Sequence, residues 1–224
     1  MACVGLIGGL GVGATVHYYE RIAAACKARG TVPDLVIAHA DVGHGQGFVR
    51  AGKLDALADY LASFIDRMAR AGAEAAAIPA VTPHIAIAQL RERTRVPLIN
   101  IVDPIGAELR ARKLNRVALF GSVFTVEGGL WGQLTGFEIV KPKPDEIAFI
   151  GQAYQRILDT QKGDAADTAG LRRIAADLQR RDGVEAILLA GTDLAVIFDE
   201  ATAGFPAIDV ARLHIDAIVE RLAG

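Results

Sequence analysis

The chain has 224 residues, of which 52% are hydrophobic and 22% are charged, and its formal net charge is -2. This length and composition allow a sizeable core in one large domain or in two lobes of about 100 residues each, and they exclude a disordered chain. The nearly balanced charge and the aromatic content of only 6% argue against a nucleic-acid partner and against binding to an anionic membrane.

No apolar segment reaches the ~18 residues that a membrane-spanning helix needs. The N-terminal segment MACVGLIGG lacks the basic residues of a signal peptide and is predicted to be a first strand. The two cysteines, Cys3 and Cys26, form neither a CxxC pair nor a zinc-binding pattern. We therefore expect a cytoplasmic protein with no membrane partner.

Short apolar segments alternate along the chain with longer segments of helical periodicity. Most of the apolar segments are uninterrupted, which is typical of strands covered on both faces. The predicted strands are CVGLIGG, LVIAHAD, EAAAIPA, PLINI, RVALFGS, FEIVKP, EAILLAG and PAIDV. The predicted helices are Ala14–Arg29, Leu54–Ala71, His84–Arg93, Pro104–Arg112, Thr125–Leu134, Glu146–Asp159, Ala166–Arg181 and Ala211–Leu222. This alternation predicts an α/β fold with parallel sheets and right-handed crossovers.

Two segments of the chain resemble each other. EAAAIPAVTPH and EAILLAGTDLA each place a small residue, a threonine and a polar side chain after a buried strand. We therefore predict two pseudo-symmetric Rossmann-like lobes, each a parallel sheet flanked by helices. Residues 1–98 with 207–224 would form the first lobe and residues 99–206 the second. Ligands of such sheets bind beyond the carboxyl ends of the strands, so we expect a ligand-binding cleft between the lobes.

The first strand is followed by a glycine-rich turn, GLIGGLGVGAT. Gly9, Gly11 and Ala14 satisfy the G-x-G-x-x-A pattern of dinucleotide-binding turns. That pattern also requires an acid about 20 residues further on, and Asp41 comes too late to serve. A turn that binds a carboxylate through backbone N–H groups and a plain strand-to-helix connection both remain open.

The second strand ends in HADVGHG. His39, Asp41 and His44 are residue types that bind metal ions. Polar residues at strand ends more often satisfy the backbone of their own loop, and Asp41 could equally pair with the ammonium group of a substrate. We expect no metal site here and treat Asp41 as a substrate-binding candidate.

The third strand is followed by Thr82 and His84. Thr82 could donate a hydrogen bond to a carboxylate or cap the next helix. His84 could act as an acid or a base near neutral pH, or could also serve as a cap. In the second half of the chain, Ser122 and Thr125 lie at a strand-to-helix turn that suits an anion.

The loop AGTDLA near the end of the chain supplies Thr192 and Asp193. Asp193 is a second acid–base candidate. His214 lies on an otherwise apolar helix, where a histidine is more often part of the core or the surface than a catalyst.

Together these segments resemble the aspartate/glutamate racemase family. GLIGGLGVGATVHYYERI is similar to the family's opening pattern, and HADVGH, VTPH, GSVFT and IDVARLH follow in the family's order and spacing. The resemblance covers essentially the whole chain. It implies a cofactor-independent isomerase, often a homodimer, whose cleft binds a small amino or dicarboxylic acid. It also implies that Thr82, Ser122, Thr125 and Thr192 line the carboxylate sites. Gly9, in the glycine-rich turn, is a further substrate-binding candidate.

The sequence departs from the family at both catalytic thiols. Racemases of this family carry CNT.H after the third strand and GCTE in the matching second loop, and the two cysteines move a proton on opposite faces of the substrate. Here Ala80 and Gly191 occupy those positions, and Val81 replaces the asparagine. These replacements argue against racemisation by two thiols. Three hypotheses follow: an isomerase that uses His84 and Asp193, a related lyase or isomerase, or a non-catalytic carboxylate-binding protein.

Overall fold

The computed structural model describes residues 2–224. Their contacts divide the chain into two compact units. Unit 1 comprises the residues up to Ile101 together with Leu213–Gly224, and unit 2 comprises Val102–Arg212. Each unit contains a four-stranded parallel sheet flanked by helices, which confirms the predicted α/β class and the duplication. The ligand-binding cleft remains a prediction.

The sheet of unit 1 has the strand order β2-β1-β3-β4. Its strands are β1 Val4–Gly8, β2 Leu35–His39, β3 Ala75–Ala77 and β4 Leu98–Ile99. All pairs are parallel, with Val4 opposite both Leu35 and Ala75. The helices are α1 Val12–Ala28, α2 Val42–Arg50, α3 Leu54–Arg70, a 3₁₀ helix Thr82–Ala86 and α4 Ile87–Arg93.

The sheet of unit 2 has the equivalent order β6-β5-β7-β8. Its strands are β5 Arg116–Phe120, β6 Glu138–Ile139, β7 Ala186–Leu189 and β8 Ala207–Asp209. Its helices are α5 Asp103–Ala111, α6 Val123–Gly128, a 3₁₀ helix Gly129–Gly132, α7 Pro144–Thr160, α8 Ala165–Asp182 and a 3₁₀ helix Thr192–Val196. Helix α9, Val210–Ala223, begins in unit 2 and continues into unit 1.

Helix α3 shows how the apolar periodicity builds the core of unit 1. Leu57, Leu61, Ile65 and Met68 recur at helical spacing and are all buried. Gly5 in the central strand lets Met68 approach closely, because a Cβ at Gly5 would lie 2.9 Å from the Met68 sulfur. Burying each such side chain contributes about 1.5–3 kcal/mol.

The helix predictions needed correction at several places. Helix α2 was not predicted because it contains three glycines, Gly43, Gly45 and Gly47, which disfavour a helix. The single helix expected over Thr125–Leu134 is wrong, because α6 ends at Gly129 in the left-handed conformation (φ 54°). Within the described residues, no helix is both long enough and apolar enough to cross a membrane.

Candidate functional site

Gly9 forms a tight turn between β1 and α1. Its φ is +84°, and a Cβ at this position would lie 2.3 Å from the carbonyl oxygen of Ala40. The Gly9 N–H donates to the Thr15 hydroxyl oxygen at 3.0 Å, and that hydroxyl donates to the Gly11 carbonyl at 2.8 Å. The N–H of Gly9 is thus engaged within the turn, and the glycine is required by the backbone conformation.

Asp41 caps helix α2. Its Oδ1 accepts the His44 N–H at 2.9 Å, and its own N–H donates to the Tyr60 hydroxyl oxygen at 2.7 Å. The Asp41 side chain remains exposed at this helix terminus. No group of three metal-ligating side chains comes together among residues 2–224, so the structure does not bring His39 and His44 together with Asp41 as a metal site.

His84 lies in the 3₁₀ helix that follows Ala80 and is buried. The ring is 1% exposed, and its Nδ1 lies 2.9 Å from the Ala80 carbonyl oxygen. A carbonyl can only accept, so Nδ1 carries the proton and Nε2 the lone pair. Burial lowers the pKa of His84 to about 4, against the opposing effect of the backbone bonds to Ala80 and Val81. The ring is therefore neutral at pH 7, and its role as an acid–base group stays a prediction.

A second buried histidine adjoins the first. The ring centroids of His84 and His214 are 6.4 Å apart in an edge-on contact. His214 donates from Nε2 to the Ile99 carbonyl at 2.8 Å and accepts at Nδ1 from the Tyr18 hydroxyl at 3.1 Å. Burial, and then the proximity of His84, lowers the pKa of His214 to about 3. His214 belongs to the core of unit 1.

Two of the predicted carboxylate-binding residues lie at the carboxyl end of β5. Ser122 is the N-cap of α6 and accepts the Thr125 N–H at 3.2 Å, while the two hydroxyl oxygens are 3.1 Å apart. Thr125 is fully buried, whereas Ser122 is partly exposed. The structure brings these two hydroxyls together in the turn between β5 and α6, and their role as carboxylate ligands stays a prediction.

The carboxyl end of β7 carries Thr192 and Asp193, both 1% exposed. The Asp193 carboxylate accepts from the Tyr154 hydroxyl at Oδ2 and from the Gln161 side-chain nitrogen at Oδ1, each at 3.4 Å. Sequence reasoning missed Tyr154 and Gln161. Tyr154 falls on the buried apolar face of α7, which gives no signal of a polar role.

The loops after β3 and β7 each contain a hydrogen bond between residues two apart, shifted by one position between the two loops. The Ala80 N–H donates to the Ile78 carbonyl at 2.7 Å, and the Ala190 N–H donates to the Leu188 carbonyl at 2.8 Å. Each loop then leads into a 3₁₀ helix that begins at a threonine, Thr82 or Thr192. The two loops therefore have a similar course, in which a tight turn leads into a short 3₁₀ helix.

Neither loop presents an ionisable group at the position expected for a thiol. Ala80 is 6% exposed. At Gly191, a Cβ would lie 2.4 and 2.7 Å from two ring carbons of Tyr154, so the aromatic ring fills that space. Burial, and then the Asp193 carboxylate, raises the pKa of Tyr154 well above its usual value, so its hydroxyl keeps its proton.

Cys3 and Cys26 are expected to be unreactive towards a thiol reagent in the native protein. The residues are 6% and 2% exposed, and burial followed by a hydrogen bond with Asp34 raises the pKa of Cys3, which reduces its thiolate fraction. Titration with an aromatic disulfide reagent should detect both thiols only after denaturant is added. One equivalent reacting under native conditions would contradict this.

Comparison with known proteins identifies the fold. A sequence model of the Asp/Glu/hydantoin racemase family matches residues 7–218. A candidate Asp/Glu racemase from Yersinia pestis superposes with a TM-score of 0.87 at 20% identity, covering 100% of both chains. An aspartate racemase homologue from Pyrococcus horikoshii gives 0.83 at 21% identity, again over 100% of both chains. The aspartate racemase of Picrophilus torridus gives 0.80 at 21% identity, covering 100% of this chain and 95% of the other.

Proposed function

Since this chain belongs to the Asp/Glu/hydantoin racemase family, we propose that it binds a small amino or dicarboxylic acid at the carboxyl ends of its strands, without a cofactor. Family membership supports an assignment to the isomerase class. The hydroxyl side chains that follow β3, β5 and β7 are the proposed carboxylate ligands. They are Thr82, Ser122, Thr125 and Thr192.

We propose further that the protein does not racemise its ligand by the two-thiol mechanism. The observation that carries this proposal is the pair of loops after β3 and β7, where Ala80 and Gly191 offer no group that can take or give a proton. Loss of one positioned acid–base group typically lowers a rate by about 10²–10⁴-fold. Cys3 and Cys26 are buried in the core and do not replace the missing thiols.

The decisive experiment is proton NMR of the protein in D₂O with L-aspartate, L-glutamate and a panel of dicarboxylates. We expect ligand signals to broaden on binding while the α-proton signal persists. Protein-dependent loss of the α-proton, followed by racemisation, would contradict the absence of proton transfer. Failure of every ligand to bind would contradict the whole proposal.

Removing a proposed carboxylate ligand should weaken binding without unfolding the protein. A hydrogen bond to a charged group contributes about 1.5–3 kcal/mol, so Thr192→Val should raise the Kd of the bound acid by roughly 10-fold or more. Thr168→Val is the matched control, because the Thr168 hydroxyl donates to the backbone carbonyl of Asp164, the N-cap of α8, and Thr168 is not a proposed ligand. Isothermal titration calorimetry of the two variants measures the difference, and equal Kd values would exclude Thr192 as a ligand.

Proton transfer by Asp193 is the second candidate function, as in a related lyase or isomerase. It is favoured by one observation: the Asp193 carboxylate is almost completely buried and is held from two sides by Tyr154 and Gln161. Buried carboxylates held by hydrogen bonds are candidates for proton transfer at catalytic sites. If the NMR experiment detects exchange, Asp193→Asn should abolish it, and an unchanged rate would exclude this role.

A further inference from the structure

Gly191 is required by packing and not by its backbone conformation. Its φ of -136° and ψ of 109° are ordinary extended values that any residue adopts. A Cβ at this position would nevertheless lie 2.4 and 2.7 Å from ring carbons of Tyr154, and 3.0 Å from the Gly121 Cα. Contacts below 3 Å force a neighbouring group to move, so any side chain at this position competes with the Tyr154 ring for the same volume.

Packing and a hydrogen bond keep the Tyr154 ring beside Gly191. Tyr154 is 8% exposed and lies on the buried face of α7, between Ile150 and Ile157. Its hydroxyl donates to the Asp193 carboxylate two residues beyond Gly191. Moving the ring would therefore cost both apolar packing and a buried hydrogen bond.

We propose that Tyr154 determines which residue the loop after β7 can present, because its ring occupies the volume of a side chain at position 191. Tyr154 and Gly191 then form a matched pair, and this loop can hold a cysteine at position 191 only if Tyr154 is replaced by a smaller residue. Position 191 therefore not only lacks a cysteine but has no free volume for one, because the Tyr154 ring fills it. The consequence for proton transfer rests on the proposed function, whereas the steric pairing stands independently of it.

A double-mutant cycle tests the pairing. Overpacking a buried site is destabilising, so Gly191→Ala should lower the Tm by roughly 5 °C in the wild-type background. In the Tyr154→Ala background the same substitution should cost less than half as much, because the competing ring is gone. Tyr154→Leu serves as a second smaller residue if Tyr154→Ala does not fold. Tyr154→Phe retains the ring but not its hydrogen bond to Asp193, so it should retain most of the loss.

Gly170→Ala is the matched control. A Cβ at Gly170 would lie 2.2 Å from a ring carbon of Phe149, which is a clash with an aromatic ring that involves neither Tyr154 nor the loop after β7. It should therefore lower the Tm equally in all backgrounds. Equal losses for Gly191→Ala with and without the Tyr154 ring would overturn the proposal, as would a Gly191→Ala protein as stable as the wild type.

A second readout connects the pairing to chemistry. The double variant Ala80→Cys/Gly191→Cys should have a reduced Tm and show no exchange of the ligand's α-proton in D₂O. Exchange by this double variant would overturn the claim that Tyr154 closes the position. Failure of the wild-type protein to bind any acid would instead refute the proposed function, and the stability cycle would still decide the pairing.

Discussion

Lowering the pH from about 7.5 to about 5 should reduce the free energy of unfolding by about 2 kcal/mol for each of two buried histidines, or about 4 kcal/mol together. Burial lowers the pKa of His84 to about 4 and the pKa of His214 to about 3. In the unfolded chain both rings titrate near pH 6.5. Between these values the unfolded state binds protons that the folded state does not, so stability falls as the pH falls.

The buried histidines and the acidic residues change the stability in different pH ranges. Arg181 lowers the pKa of Glu146, and backbone N–H groups lower the pKa of Glu185. Burial alone would raise the pKa of Glu200, but hydrogen bonds from Arg112 and from the Asp209 N–H outweigh it and lower that pKa. A carboxylate with a lowered folded pKa contributes stability above its unfolded value, near pH 4.5, and loses it as the pH falls through the folded value. The loss of stability above about pH 4.5 should therefore come mainly from the histidines.

Urea unfolding at a series of pH values measures this slope. His214→Gln retains a donor for the Ile99 carbonyl and His84→Asn retains one for the Ala80 carbonyl, and each should remove about half of the pH dependence. Tyr18→Phe is the control, because it removes the hydroxyl bonded to His214 without removing an imidazole. It should lower stability at every pH and leave the slope unchanged. A flat profile for the wild-type protein would show that neither ring is buried in its neutral form.

The histidine pair illustrates what the sequence could not predict. Tyr18 and His214 are 196 positions apart, and their hydrogen bond depends on the return of α9 to unit 1. The strands were predictable because uninterrupted apolar segments such as β1 and β5 are typical of parallel strands that are buried on both faces. Contacts such as Tyr154 with Asp193 arise only when distant elements pack, and no local spacing encodes them.

Helix α2 shows the same limit for local structure. Its three glycines oppose a helix by about 1 kcal/mol each. The helix forms because Asp41 caps it and because Phe48 and Tyr60 pack with the His44 ring, at centroid distances of 4.8 and 4.9 Å. Tertiary contacts here outweigh intrinsic propensity. In contrast, the glycine-rich turn at Gly9 was recognised from the sequence, because its glycines are needed for the backbone conformation of the turn and not for contacts with distant residues.

Gly9→Ala is expected to destabilise the protein by about 3 kcal/mol, from about 1–2 kcal/mol for a left-handed alanine and a similar amount for the steric clash. The φ of Gly9 is +84°, and the new Cβ would meet the Ala40 carbonyl oxygen at 2.3 Å and the His39 ring at 2.8 Å. A ring can rotate, but the carbonyl belongs to the backbone that leads out of β2. Relief of the clash therefore requires β1 and β2 to separate at their carboxyl ends, where their register is Gly8 to His39.

Gly30→Ala separates the two contributions to this loss. Gly30 also has a left-handed φ, +72°, but a Cβ there would meet nothing within 4 Å. Its alanine variant should lose only about 1 kcal/mol, since it carries the conformational cost without the clash. The difference between the two variants in urea unfolding measures how tightly the first turn is closed against Ala40. Equal losses would mean that the turn is open at this point, with room beside Gly9 for a side chain, and the glycine would then be needed only for its φ.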